Sequence, residues 1–154
     1  MPSAITNVAG YRFVDLVDLD RLQSVFRSVC VDLGLKGTVL LAPEGLNFFV
    51  ASPVSSIDGF VEFLERDERF AGIDLKRSLT DYQPFNRLNI RKKKEIISVG
   101  LDHIRPADAT GARISPQAFK AMLDNGEFVH VLDTRNDYEM RIGTFENAIN
   151  LDLP

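Results

Sequence analysis

The residues best suited to chemistry in this sequence lie in its last segment, FVHVLDTRNDYEMRIGTFENAINLDLP, at residues 128–154. Asp133 and Arg135 follow an apolar run that has the composition of a buried parallel strand. Ligands of α/β sheets bind beside the carboxyl ends of strands, where such a pair orients loops by hydrogen bonding. We therefore expect Asp133 and Arg135 to support a site rather than to act as nucleophile or base.

A nucleophile is harder to find. The sequence contains one cysteine, Cys30, and two histidines, His103 and His130. Cys30 falls beside the apolar face of a predicted helix, where a thiol with no nearby base is a core residue. His130 stands between two valines of the predicted strand and is expected to be a core residue as well. The cysteine and histidines lack metal-ligand spacing, so no structural metal is predicted.

A basic segment surrounds the run RKKKE at residues 91–95. Residues 76–105 contain eight basic and three acidic residues, a net charge of +5, so the rest of the chain carries −9. Two interpretations stay open, because lysines on an edge strand prevent unwanted strand pairing, whereas a basic strip contacts nucleic-acid phosphates. The candidate RNA-binding residues are Arg87, Arg91, Lys92, Lys93 and Lys94.

The hydrophobic pattern predicts the elements that position these residues. The pattern indicates a strand from Tyr11, a helix over about 18–33, a hairpin around Pro43-Glu44-Gly45, a helix beginning at Ser52-Pro53, and a strand at 72–79. This β-α-β-β-α-β order is typical of an α+β ferredoxin-like domain, which we place at residues 1–99.

A connector without periodicity follows at residues 100–113. Residues 114–154 then have the pattern of the first part of an α/β domain. Ser115-Pro116 begins a helix that Asn125-Gly126 ends, and the pattern predicts that this helix buries Phe119, Met122 and Leu123. We expect this second domain to be incomplete.

The composition is that of a globular protein, with 45% hydrophobic and 26% charged residues. No apolar run reaches the roughly 18 residues of a membrane span, and the first residues lack the pattern of a secretory signal. A single cysteine fits a reducing compartment. These features predict a cytoplasmic protein without a membrane partner.

Two sets of motifs resemble a known family. VLDTRNDYEMRIGTFENAINLDLP resembles the beginning of a rhodanese-like domain, in which an Asp-x-Arg corner precedes an acidic helix and a GHIPGA-type turn. Thr144 stands where many rhodaneses have histidine. Together with GTVLLAPEGLN and QPFNRLNIRKKKEIISVG, the chain from Tyr11 onward resembles the rhodanese-related tRNA uridine hydroxylases. These join a ferredoxin-like, acylphosphatase-resembling domain to a rhodanese domain.

The resemblance implies oxygen-dependent hydroxylation of the wobble uridine of tRNA to 5-hydroxyuridine, with molecular oxygen as co-substrate and no recognised metal or flavin. It implies that the partner is tRNA, held at its anticodon stem-loop. The family's essential cysteine is expected beyond Pro154, so the chain as printed is expected to be inactive. A rhodanese-type sulfurtransferase and a noncatalytic RNA-binding or adaptor module stay open as alternatives.

Overall fold

A tight hairpin organises the first half of the chain. Strands β2 (Lys36–Ala42) and β3 (Gly45–Pro53) pair antiparallel around Pro43 and Glu44, as the sequence predicts. Gly45 has a φ of 148°, and a Cβ atom at this position would lie 2.0 Å from the carbonyl oxygen of Arg12. Only glycine fits this close approach of β3 to the neighbouring strand.

The computed structural model describes residues 4–96, 108 and 111–151. They fall into two units, Met1–Thr110 and Gly111–Pro154. Most of the predicted connector at 100–113 lies outside the described residues, and the predicted domain boundaries stay predictions.

The first unit has the predicted α+β ferredoxin-like order, with one further strand. Its remaining elements are β1 (Ile5–Phe13), α1 (Leu19–Asp32), α2 (Val54–Glu65), β4 (Lys76–Thr80) and β5 (Leu88–Lys92). The strands form one sheet in the order β4-β1-β3-β2-β5, in which only the β2–β5 pair is parallel. The basic segment therefore supplies an edge strand, β5.

Both helices pack on one face of this sheet. Alternate residues of the central strands, such as Val8, Phe48 and Val50, are buried there against Phe26 of α1 and Phe60 of α2. The rings of Phe48 and Phe60 meet edge to face with their centroids 5.3 Å apart. The apolar residues of both helices, among them Leu22, Phe26, Ile57 and Phe60, face this core, and Cys30 lies in it as the sequence predicts.

Three element boundaries differ from the predictions, and one of them is the start of β4, at Lys76 rather than at residue 72. Strand β1 begins at Ile5 rather than at Tyr11, because residues 5–9 pair with neighbours on both sides and this pairing outweighs the low strand propensity of Asn7. Ser52 and Pro53 both belong to β3, and Pro53 is the N-cap of α2 rather than its first residue. The Ser52 hydroxyl instead donates to the carbonyl oxygen of Gly34.

The second unit contains α3 (Pro116–Asp124), β6 (Leu132–Asp133), α4 (Asp137–Met140) and β7 (Ile149–Asn150). The predicted cap is confirmed: the Ser115 hydroxyl oxygen accepts a hydrogen bond from the Ala118 amide. The predicted burial is wrong, because Phe119, Met122 and Leu123 are half-buried and His130 is exposed. The reason is that β6 is two residues long and pairs, within the described part of the chain, with β7 alone.

Candidate nucleic-acid interface and the Asp133 corner

The five predicted RNA-binding residues lie along one edge of the first unit. Arg87 precedes β5, Arg91 and Lys92 belong to it, and Lys93 and Lys94 follow it; all five are exposed. Strand alternation separates two neighbours among them. Lys92 is in register with Leu41 of the core face and pairs with Asp20 of α1, whereas Arg91 is in register with Leu40 on the opposite face. The strip is therefore divided between two faces of the sheet.

We call the sheet face opposite the helices the open face. It consists of rows of residues that lie in register across neighbouring strands. One row crosses the sheet as Arg91, Leu40, Asn47 and Tyr11. The next row is Asn89, Thr38, Phe49, Ala9 and Lys76. The third contains Lys36, Ala51, Asn7 and Ser78. Neither α1 nor α2 covers these rows, because both helices pack on the other side.

Two aromatic rings stand exposed on the open face. Tyr11 of β1 is 44% exposed and Phe49 of β3 is 48% exposed. Because Tyr11 is in register with Asn47, it is a diagonal cross-strand neighbour of Phe49. The sequence analysis missed both residues, since it sought aromatics only beside the basic run. Side chains alternate between the two faces of a strand, and both helices pack on one face of the sheet. This alternation in β1 and β3 could have placed Tyr11 and Phe49 on the opposite face.

The connection from β4 to β5 limits the open face on one side. These strands lie at opposite edges of the sheet, so residues 81–87 must cross three strands to join them. The Gln83 side-chain amide donates to the Ala51 carbonyl oxygen at 3.0 Å, and the Phe85 ring meets the Phe49 ring edge to face at 5.1 Å. This crossing explains why Ala51 and Asn7 are buried although they face away from the helices.

The charges of the first unit are sorted between its two layers. The five strands contain six basic residues and no acidic one, whereas α1 and α2 contain five acidic and two basic residues. The basic strand residues on the helix side have partners there, as Arg77 has in Asp58 at 3.0 Å. Among the described residues, no ion pair is seen for Lys36, Lys76 or Arg91 on the open face. The open face is therefore electropositive.

The loop between β1 and α1, residues 14–18, is unsuited to hold an anion. Its sequence, VDLVD, contains two aspartates and neither glycine nor a basic residue. The amides of Val14 and Leu16 donate to the carbonyl oxygens of Glu44 and Pro43 at 3.0 and 2.8 Å. The loop therefore lacks the positive charge that phosphate cradles provide, and two of its amides already have acceptors.

In the second unit, the predicted pair of Asp133 and Arg135 forms a hydrogen-bonded corner at the end of β6. The Arg135 guanidinium donates from Nε and Nη2 to the buried Asp133 carboxylate at 2.9 and 2.6 Å. Its Nη2 also donates to the Gly143 carbonyl oxygen at 2.8 Å. These bonds join the loop after β6 to the loop before β7, which is an orienting role.

Thr144 completes this corner. Its hydroxyl donates to Asp133 Oδ2 at 2.8 Å. The hydrogen bonds from Arg135 and then from Thr144 hold the pKa of Asp133 well below its usual range. The corner borders an open depression of about 720 Å³ that is lined by apolar side chains, including Phe119 and Phe145, together with the corner residues. Sequence reasoning noted Thr144 only as a departure from rhodaneses and missed its contact.

Neither unit presents a nucleophilic thiol or a metal cluster within the residues described. Cys30 is fully buried, and burial raises the pKa of its thiol to about 12. Its predicted core role is confirmed. No three His, Cys, Asp or Glu side chains converge on a common point in the described ranges. None of the helices seen there is both long and apolar enough to cross a membrane.

Comparison with known proteins agrees with this architecture. A curated tRNA uridine(34) hydroxylase from Cupriavidus necator is 46% identical, and the match covers 97% of this chain and 55% of the relative. One from Cupriavidus pinatubonensis is 47% identical with the same coverage. The chain thus spans about half the length of the curated relatives it matches.

A solved structure of BlrB, a BLUF protein in its dark state, superposes with a TM-score of 0.50 at 18% identity, covering 62% of this chain and 77% of that one. At this identity the likeness concerns the fold alone. The profile of the UPF0176 acylphosphatase like domain matches residues 5–96, the range that contains all five strands of the sheet and both of its helices. The acylphosphatase-like N-terminal domain expected from the sequence is thereby confirmed, and the chain belongs to the family of the UPF0176 acylphosphatase like domain.

Proposed function

We propose that the protein to which this chain belongs hydroxylates uridine 34 of tRNA to 5-hydroxyuridine in the cytoplasm. The observation that carries the proposal is the 46–47% identity, over 97% of this chain, to proteins named tRNA uridine(34) hydroxylase. The basic edge strand supports it, because a tRNA-modifying enzyme must hold a polyanion.

The reaction replaces the C5–H bond of uracil by a C5–OH bond. Molecular oxygen supplies the inserted atom, and the second oxygen atom leaves as water after an external two-electron reductant provides two electrons and two protons. We assign no step of this chemistry to the residues described here. The single cysteine is buried with a pKa near 12, so it is not a thiolate at neutral pH. We place the catalytic cysteine in the part of the relatives' length that this chain does not span.

The contribution that we assign to this chain is tRNA binding. The strip of Arg87, Arg91, Lys92, Lys93 and Lys94 is exposed along one edge of the sheet and is the proposed contact to the RNA backbone. Within it, Lys92 has the smallest role, because its ammonium group pairs with Asp20 on the helix side. Backbone contacts of this kind position an RNA without reading its sequence.

The second unit, in this proposal, is the beginning of a rhodanese-like domain. Asp133, Arg135 and Thr144 hold two loops together at the end of β6, where α/β folds place their ligands. They act as positioning residues. We favour hydroxylation over sulfur transfer because the matched relatives carry the name of a hydroxylase.

The test uses protein of the relatives' length, tRNA that lacks the modification, a reductant and oxygen gas labelled with the heavy isotope. We expect 5-hydroxyuridine in the digested tRNA, with the label in its new hydroxyl group. Under anaerobic conditions, and with the 154-residue chain alone, no product is expected. A thiolated nucleoside, or a hydroxyl oxygen that comes from water, would contradict the proposal.

A further inference from the structure

We infer that the open face of the five-stranded sheet is a stacking platform for unpaired RNA bases, with Tyr11 and Phe49 stacking the bases and Arg91, Lys76 and Lys36 binding the flanking phosphates. The inference rests on the proposed function in one respect, namely that the RNA is the substrate tRNA. It shares Arg91 with the edge strip and adds base contacts on the open face, which the strip does not provide.

The first argument is the placement of the two rings. They lie on adjacent central strands, β1 and β3, and their positions are diagonal, which separates such residues by about 7–8 Å. Nearly half of each residue's surface is exposed in a domain that buries most of its other phenylalanines. RNA-recognition motifs use the same device, in which aromatic residues of a four-stranded sheet stack two or three bases.

The second argument is the polar character of the surface around the rings. Asn47, Thr38 and Asn89 occupy the registered positions between and beside them. A sheet face that packs against another protein has an apolar centre, whereas these polar side chains lie at the centre of the open face. Side-chain amides and hydroxyls can hydrogen-bond to the polar edge of a nucleobase, and an exposed ring beside them can stack on its flat face.

The third argument is charge complementarity. Lys36, Lys76 and Arg91 project from three different strands of the open face, and its strands carry no carboxylate. The loop at its border contributes one acid, Asp81, and one base, Arg87. A polyanion with planar rings fits a positively charged surface with two exposed aromatics, as in other proteins that bind single strands.

The crossing loop sets the size of the platform. Gln83 covers Ala51 in the middle of the third row, and Phe85 packs against one side of the Phe49 ring. The accessible part therefore comprises the row of Tyr11, the exposed part of Phe49 and, at the end of the third row, Lys36. Two rows with one ring each accommodate two bases, or three if Phe13, whose ring meets that of Tyr11 at 5.8 Å, takes part. This number suits a short unpaired segment such as a hairpin loop and not a duplex.

The experiment measures fluorescence anisotropy of the 154-residue chain with two labelled probes. One probe is a short oligouridylate, and the other has the same sugar-phosphate backbone without bases. Tyr11→Ala and Phe49→Ala are each expected to weaken oligouridylate binding by about 5- to 150-fold, since a stacked base contributes ~1–3 kcal/mol. Neither variant should change binding of the abasic probe, because the phosphate contacts remain.

Conservative and matched variants separate stacking from folding. Tyr11→Phe and Phe49→Tyr keep a ring and should retain wild-type affinity. Tyr138→Ala removes a tyrosine of the second unit that is 65% exposed and should have no effect. Ultraviolet cross-linking of 4-thiouridine RNA to the wild-type chain, with the adduct located by mass spectrometry, should label the peptides that contain Tyr11 or Phe49.

Three outcomes would overturn the inference. The first is unchanged oligouridylate binding in both alanine variants, which would leave uridine hydroxylation by the longer protein untouched. The second is equal wild-type affinity for both probes, which would reduce the face to a charged surface. The third is a dimer in sedimentation that Tyr11→Ala dissociates, which would make a second copy the occupant. Ring-dependent binding together with absent 5-hydroxyuridine would instead refute the proposed function and support the platform.

Discussion

The neighbouring residues Arg91 and Lys92 give a sharp test of how β5 presents its charges to RNA. Arg91 lies on the open face in register with Leu40, and Lys92 lies on the helix side, paired with Asp20. Arg91→Ala and Lys92→Ala each remove one positive charge from the same strand. The net charge of the chain changes equally in both, so a difference between them reports the face and not the overall charge.

The magnitude follows from counterion release. Each phosphate contact on single-stranded RNA contributes about −0.7 to the slope of log affinity against log salt, or about 2.6-fold in affinity for a fourfold rise in salt. We expect Arg91→Ala to flatten the slope by about this amount and Lys92→Ala to leave it nearly unchanged. Folding should be little affected, because the Lys92 and Asp20 side chains are 40% and 90% exposed and such a pair contributes about 0–1 kcal/mol.

The assay is anisotropy with an anticodon stem-loop at several salt concentrations, accompanied by thermal unfolding of every variant. Arg66→Ala, at the C-cap of α2, serves as the control, because it removes an exposed arginine from the helix layer. Equal flattening by Arg91→Ala and Lys92→Ala would refute the reasoning that the two faces differ. Wild-type slopes in both would show that β5 protects a sheet edge and that tRNA binds elsewhere.

Four further outcomes are expected. Cys30→Ala should cost about 1 kcal/mol of unfolding free energy, and a thiol reagent should modify native Cys30 only on unfolding, as its raised pKa implies. Gly45→Ala should destabilise the first unit by more than about 1 kcal/mol in denaturant titration, because Cβ would strike a backbone oxygen. The pKa of Asp133 in the folded protein lies below its unfolded value of about 3.9. Its contribution to the stability of the second unit should therefore be complete above that pH and be lost as the pH falls toward the folded pKa. The amide NMR signals of the second unit should report this acid-dependent loss of structure in the wild type and not in Asp133→Asn. Benzoyl phosphate should not be hydrolysed above the buffer rate, because the loop between β1 and α1 offers no anion cradle.

The sequence was sufficient for the elements whose signals are local. Proline and glycine at 43–45 define the hairpin, and the apolar spacing of α1 and α2 identifies their buried faces. The beginning of β1 was missed because its pairing with two neighbours is a long-range property that local propensity does not contain. The burial of Phe119 was overestimated for the same reason: apolar spacing shows which side a helix would bury, but not how much structure covers it.

Among the candidate site residues, too, those with a local sequence signal were predicted and those brought together by long-range contacts were missed. The basic run and the Asp133-Thr134-Arg135 corner are contiguous in sequence and were found directly. Tyr11 and Phe49 lie far apart in the chain and become neighbours only through the β1–β3 pairing. Thr144 reaches Asp133 across two loops, a contact that no spacing rule predicts.

The crossing of residues 81–87 also has a kinetic consequence. Within the part of the chain that the structure describes, strand β5 pairs with β2 alone, and the connection that brings it there crosses β1, β3 and β2. An edge strand has one hydrogen-bonded neighbour, and this one reaches that neighbour through a long-range connection. Such a strand is expected to form late in folding and to open early in local unfolding. Amide exchange should therefore be fastest in the strand that carries Arg91. Mild heating or denaturant would then release the RNA-facing charge while the hairpin and both helices stay folded, so the affinity for RNA depends on the least protected edge of the domain.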